Sequence, residues 1–215
     1  MNNYLKNKKH LTENNAYDPS LEHEACGVGL IATTDGKKSR KVVEHGIEAL
    51  KAVWHRGAVD ADGKTGDGAG IHVEIPKDFF IEKIQVTGHD YDNSEICVGM
   101  IFLPRNDYSA QENCKTIVES ELTKNDFSIY GWRQVPVNPK VLGEKALQTM
   151  PEIIQVLFKS NNQNLLDKNL ERKIYETRKR IENKAFEASL SNFYICSISS
   201  KSIIYKGLYL AEAIS

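Results

Sequence analysis

Two short blocks carry the residue types that could do chemistry. The first, Glu24-Ala25-Cys26-Gly27-Val28-Gly29-Leu30-Ile31-Ala32, sets a thiol at the head of an apolar run broken by glycines. A thiolate is a strong nucleophile, and Gly27 and Gly29 leave room for substrate and neighbouring backbone to approach it. A cysteine inside a chain needs a separate base. One at a free amino terminus carries its own amine, with an intrinsic pKa of about 8, so cleavage before Cys26 would supply nucleophile and base together. The second block, about thirty residues on, is His55-Arg56-Gly57-Ala58, followed by Asp62 and Thr65-Gly66-Asp67-Gly68-Ala69-Gly70-Ile71. Together the blocks point to attack of Cys26 on an amide. The alternative is a buried structural thiol, the common state of a free cysteine.

Arg56 is the second candidate, because a guanidinium can hold a carboxylate through two hydrogen bonds. Its plainer reading is a cation that satisfies carbonyls at a helix end. His55, beside the same end, reads as structural. The glycine-rich block is not a phosphate loop, since Lys64 precedes the glycines and a strand follows them. Nor is it a calcium loop starting at Asp60, because Thr65 and Ile71 stand where glycine and glutamate are required. It reads as tight-turn backbone packed near Cys26, with Asp67 as a hydrogen-bonding partner of the turn. Cys97 and Cys196 fall in apolar strands and Cys114 on a helix without a nearby histidine, so all three read as core thiols. No Cys-x-x-Cys spacing suggests a metal site.

The elements that must position these residues follow from periodicity. Residues 1–25 are polar, rich in Asn and Lys, and read as a poorly ordered leader. Residues 27–33 read as a buried strand ending at the Asp35-Gly36 turn signal. Ser39 is a candidate N-cap for a helix with Val43, Ile47, Leu50 and Trp54 on one side, which delivers His55-Arg56-Gly57 at its end. Strands are expected over 70–76, 95–104, 127–137 and 151–158, and helices over 108–124 and 165–190. The long helix is given Leu170, Ile174, Ile181 and Phe186 as its inner stripe, and 193–199 with 202–209 is expected to form a hairpin across a Ser-Lys turn. The predicted class is α+β, with helices covering sheets.

The bulk numbers restrict the function further. With 215 residues, 40% hydrophobic content, 27% charge and a net charge of -1, the chain fits one soluble domain with no electrostatic call for nucleic acid or an anionic membrane. The charged run Arg172-Lys173 with Arg178-Lys179-Arg180 reads as a solvated helix face. No apolar stretch is long enough to span a bilayer, and residues 1–10 lack the apolar core of a secretory signal. A reducing cytoplasm is the expected location.

With these residues in place, the sequence resembles the class II glutamine amidotransferases, and within them the glutamate synthases. Glu24-Ala-Cys26-Gly-Val-Gly is similar to that family's processing site and nucleophile, and the His55-Arg-Gly-Ala58 to Ile71 block to its second signature. Further similarity lies in Ile75-Pro with Phe79-Phe80, Phe102-Leu-Pro104, Gly131-Trp-Arg133 with Val135-Pro-Val137, and Phe193-Tyr-Ile195 with Ile204-Tyr-Lys-Gly207. The resemblance runs over residues 17–209. A leader of some two dozen residues, and an alanine after His-Arg-Gly, favour glutamate synthase over sister families.

The resemblance implies a four-layer αββα sandwich of the amino-terminal nucleophile hydrolase type, C-terminally truncated, with residues 1–25 as propeptide and 26–215 as the amidotransferase domain. It implies Cys26 as catalytic nucleophile, Arg56 in the glutamine pocket, L-glutamine as substrate and no metal. No cofactor is expected in this chain. FMN and an iron-sulfur cluster are expected in the rest of a glutamate synthase chain, with electrons from ferredoxin or from a nicotinamide through a small partner subunit. The family's oxyanion donors come from a His-Asn-Gly-Glu segment that is not among these residues, and Asn138 and Asn161 are poor substitutes for it. An isolated chain is therefore expected to be weak or inactive. Two other readings stay open: a non-catalytic fragment or regulatory module of the same fold, and a processed cysteine enzyme acting on another amide.

Overall fold

The structure is a computed structural model, and it describes residues 2–14, 27–53, 57–162, 164–165 and 167–214. Among these, mixed helix and sheet agree with the α+β expectation. The elements are α1 (Asn2–Asn14), α2 (Arg40–Ala52), β1 (Ala69–Glu74), α3 (Lys77–Val86), β2 (Cys97–Leu103), α4 (Tyr108–Lys124), β3 (Phe127–Gln134), α5 (Glu144–Gln148), β4 (Glu152–Ser160), α6 (Asp167–Glu187), β5 (Tyr194–Ser199) and β6 (Ser202–Gly207). The segment expected to be poorly ordered thus carries a helix. No proline or glycine interrupts residues 2–14, and Lys9 and Glu13 pair across one turn at 3.7 Å.

Four strands form one antiparallel sheet in the order β3-β4-β2-β5, and β1 pairs with β6 in a second, two-stranded one. The central strand β2 is buried at every position except Phe102. Its alternate side chains serve two cores. Cys97, Ile101 and Leu103 join Phe127, Val156 and Phe158 beneath α4 and α6. Val98 and Met100 face the opposite way, onto Phe80 and Ile84 of α3 and onto Ile203 of β6. The strand period of two is what lets one strand feed both layers.

Capping explains where the helices begin. Ser39 is the N-cap of α2 as expected, its hydroxyl accepting from the Lys41 N–H at 3.2 Å. Asp107 does the same for α4 through the Ala110 N–H at 2.9 Å. On α6 the inner line is Leu170, Ile174, Thr177, Ile181 and Ala185, while Phe186 is 85% exposed. Phe186 follows Ile181 by five residues, about 140° round the helix, which takes it off the stripe assigned from sequence.

Two strand expectations are corrected. Residues 27–33 form no ladder, and Val28 and Leu30 are 94% and 89% exposed. An apolar run becomes a strand only where a partner edge accepts it, and the described strands β1 and β6 pair with each other instead. The expected hairpin is a corner. β5 pairs with β2, whereas β6 pairs with β1, so the chain changes sheets between Ser199 and Ser202. Glu171 of α6 holds this corner, accepting from the Ser199 hydroxyl at 2.9 Å, the Ser200 N–H at 2.7 Å and the Ser200 hydroxyl at 2.8 Å. Alternation alone gives each strand's faces but not its partner.

Candidate active site

Cys26, His55 and Arg56 lie outside the described residues; the structure describes the chain that leaves each of the two blocks. Helix α2 stops at Ala52 with Val53 as C-cap, short of His55. From Gly57 the chain doubles back on itself. Val59 bridges Gly66 in antiparallel fashion, the Asp60 N–H donates to the Thr65 carbonyl at 2.9 Å, and the Asp67 N–H donates to that of Ala58 at 3.3 Å. The block therefore is a tight hairpin, as its glycine content suggests.

The carboxylate that ties this hairpin is that of Asp62. It accepts from the Thr65 hydroxyl at 2.6 Å, the Thr65 N–H at 2.7 Å, the Lys64 N–H at 2.9 Å and the Lys145 N–H at 3.4 Å. These donors, the Thr65 hydroxyl first, hold the Asp62 carboxyl well below the usual carboxylate range. Beside it the Lys145 ammonium lies 2.6 Å from Asp60, lowering the pKa of Asp60 and raising its own. On the other side the hairpin rests against residues 209–210. At Gly66 a Cβ would come within 2.8 Å of the Tyr209 carbonyl oxygen, so only glycine allows the contact.

Asp67, the residue expected to hydrogen-bond the turn, contributes its backbone N–H to the Ala58 carbonyl. The signal for Asp62 was present, since an aspartate with a threonine three residues on is a side-chain-to-backbone turn pattern. Its third partner, Lys145, 83 residues away in α5, has no local signal.

Other groups weighed from sequence have structural places. Burial raises the thiol pKa of Cys97 and Cys196 and pushes that of Cys114 up to about 11, leaving them protonated and unreactive at neutral pH. Asn138 accepts from the Lys140 N–H at 3.2 Å, and Asn161 accepts from the Ser128 hydroxyl. A cleft of about 510 Å³ is lined by Lys38, His72, Glu74, Lys77, Glu95 and Ser202 among others. Its charges pair internally, Lys38 with Glu74 at 2.7 Å and Lys77 with Glu95 at 2.8 Å. It sits at the Glu74 and Ser202 end of the two-stranded sheet, while the hairpin leads into the Ala69 and Gly207 end, about 17 Å away along the strand.

Residues 26–215 match the family described as glutamine amidotransferases class-II. The chain belongs to the class II glutamine amidotransferases. Over 212 residues it is 53% identical to the glutamate synthase [NADPH] large chain of Azospirillum brasilense, covering 99% of this chain and 14% of that protein. It is 40% identical to ferredoxin-dependent glutamate synthase 1 of Arabidopsis thaliana, over 93% of this chain and 12% of that protein. A ferredoxin-dependent glutamate synthase of Cyanidium caldarium is 39% identical over 87% of this chain and 12% of its own length. This amidotransferase chain thus spans about an eighth of the length of the relatives it matches.

Proposed function

We propose that this chain is the glutaminase portion of a glutamate synthase, with residues 1–25 a propeptide and Cys26 the nucleophile of residues 26–215. The observation that carries the reading is that the family match begins at Cys26, within a chain that is 53% identical over 212 residues to a glutamate synthase large chain. Removal of the leader frees the Cys26 amine, which takes the thiol proton. Sulfur then attacks the side-chain amide carbon of L-glutamine. The tetrahedral adduct collapses with loss of ammonia, and water cleaves the γ-glutamyl thioester to release glutamate and restore the thiol. Arg56 holds the substrate carboxylate by a two-point hydrogen bond. Donors to the oxyanion, worth about 2.7–4 kcal/mol each, come from outside these residues.

In the complete protein, ammonia is passed on for transfer to 2-oxoglutarate. FMN and an iron-sulfur cluster belong, on this reading, to the rest of that protein. The described cysteines do not suit a cluster: Cys97, Cys114 and Cys196 are buried in three separate elements. Among the described residues no group of three His, Cys, Asp or Glu side chains could hold a metal. A cytoplasmic location and a small electron-delivering subunit complete the proposal. Among the described residues no helix is long and apolar enough to cross a membrane. The four-layer αββα sandwich is supported by two antiparallel sheets sharing a core, with α4 and α6 packed outside the larger one.

The test is intact-mass and amino-terminal analysis of the full-length protein together with glutamine turnover. Mature protein should begin at Cys26, and Cys26→Ser should lose glutamine hydrolysis by about a thousandfold or more. Full activity with the leader attached would exclude the free amine as base, and unchanged turnover in Cys26→Ser would remove this residue from the chemistry.

A further inference from the structure

We propose that Asp62 is a positioning residue for glutamine recognition, acting through the hairpin that directly follows Arg56 and Gly57; the inference rests on the glutaminase reading above. Two distant stretches meet at its carboxylate. Lys64 and Thr65 donate from within the hairpin, and Lys145 donates its backbone N–H from the first turn of α5. The Thr65 hydroxyl also accepts from the Ala146 N–H at 3.3 Å, so Asp62 and Thr65 together bind the start of α5. The fit is close: at Gly143 a Cβ would overlap Asp62 Oδ2, Thr65 Oγ1 and the Thr65 N–H.

Apolar burial does not place this hairpin. Val59 is 50% exposed, and Thr65 and Gly66 are the buried residues of 57–68. Both hydrophobic cores are built from other elements. The polar clasp on one side and the Gly66 contact with Tyr209 on the other fix where the hairpin stands. Arg56 is two peptide bonds from Ala58, whose carbonyl closes the hairpin. A hairpin freed from α5 would release the chain that directly follows Arg56 in the sequence while leaving the cores intact. Small displacements of a binding group cost rate steeply.

The experiment uses the full-length processed enzyme and two probes of the Cys26 thiol. The glutamine-shaped electrophile 6-diazo-5-oxo-L-norleucine must be recognised before it reacts, whereas iodoacetamide needs only a reactive thiol. Asp62→Ala should raise the KM for glutamine and slow labelling by the glutamine analogue about tenfold or more, with iodoacetamide labelling changed less than about twofold. Asp62→Asn keeps an acceptor for the Lys64 and Thr65 N–H groups and should recover most of the loss. Unchanged analogue labelling in Asp62→Ala overturns the proposal, and so does equal slowing with both reagents. If Asp62→Ala fails to fold, Thr65→Val, which removes the hydroxyl at nearly constant volume, decides by the same pair of rates. Wild-type enzyme that resists the analogue altogether would overturn the glutaminase reading and this inference with it; labelled wild type with indifferent variants would overturn this inference alone.

Discussion

The two sheets of this molecule are held in different ways. In the four-stranded sheet β2 lies between β4 and β5 and is buried on both faces, and α4 and α6 close the outer side over Phe127, Phe158 and Ile174. Even its buried carboxylate is matched, Glu121 of α4 pairing with Lys184 of α6. In the two-stranded sheet β1 alternates half-buried and exposed residues, and the apolar segment 27–33 stands in solvent. Polar clasps take over there: Asp62 on the hairpin and Glu171 on the corner. The difference teaches that buried area and polar clasps can divide the work of holding one chain together. The hairpin and the corner are held by hydrogen bonds, although β6 itself enters the shared core through Ile203.

Three substitutions sharpen or break that contrast. Phe158 is fully buried and meets Phe127 edge-on with ring centroids 5.3 Å apart. Phe158→Ala should cost about 3–5 kcal/mol of unfolding free energy, read from the denaturant midpoint at constant slope; a loss below about 1 kcal/mol would show that this sheet is not the stabilising half. Glu171→Ala strands the Ser200 N–H, on a residue only 3% exposed. It should cost about 1–3 kcal/mol, with hydrogen exchange accelerated in β6 and unchanged in β2. Equal acceleration in both strands would mean that the two sheets open as one unit. Smallest is Leu30→Thr, which should shift stability by less than about 0.5 kcal/mol because the side chain is already in water. A larger loss would place Leu30 in a packed strand.

Much of the scaffold was legible because its periods are clean. The spacing of Val118 and Leu122 marks α4, and the boundaries read from sequence are those of the structure. The unbroken apolar run around Val98 and Ile101 marks a strand buried on both sides. Helix α3 was missed, although Phe80 and Ile84 have helical spacing, because the stretch is only ten residues long and follows a proline. Pairing was harder to read than periodicity. Nothing within 194–207 says that its two strands join different sheets, since their partners β2 and β1 lie far off in the sequence. At the site, the two motif blocks stood out by residue type, whereas the Asp62 clasp depends on Gly143 and Lys145, which share no motif with it.

The corner between β5 and β6 acts as a ruler of fixed length. One residue inserted there would invert β6, turning Ile203 outward and Ile204 in its place toward the shared core. A surface bend that elsewhere would accept insertions freely is here bound to a single length, and among relatives the interval from Phe193 to Gly207 should be as invariant as the packed interior it joins.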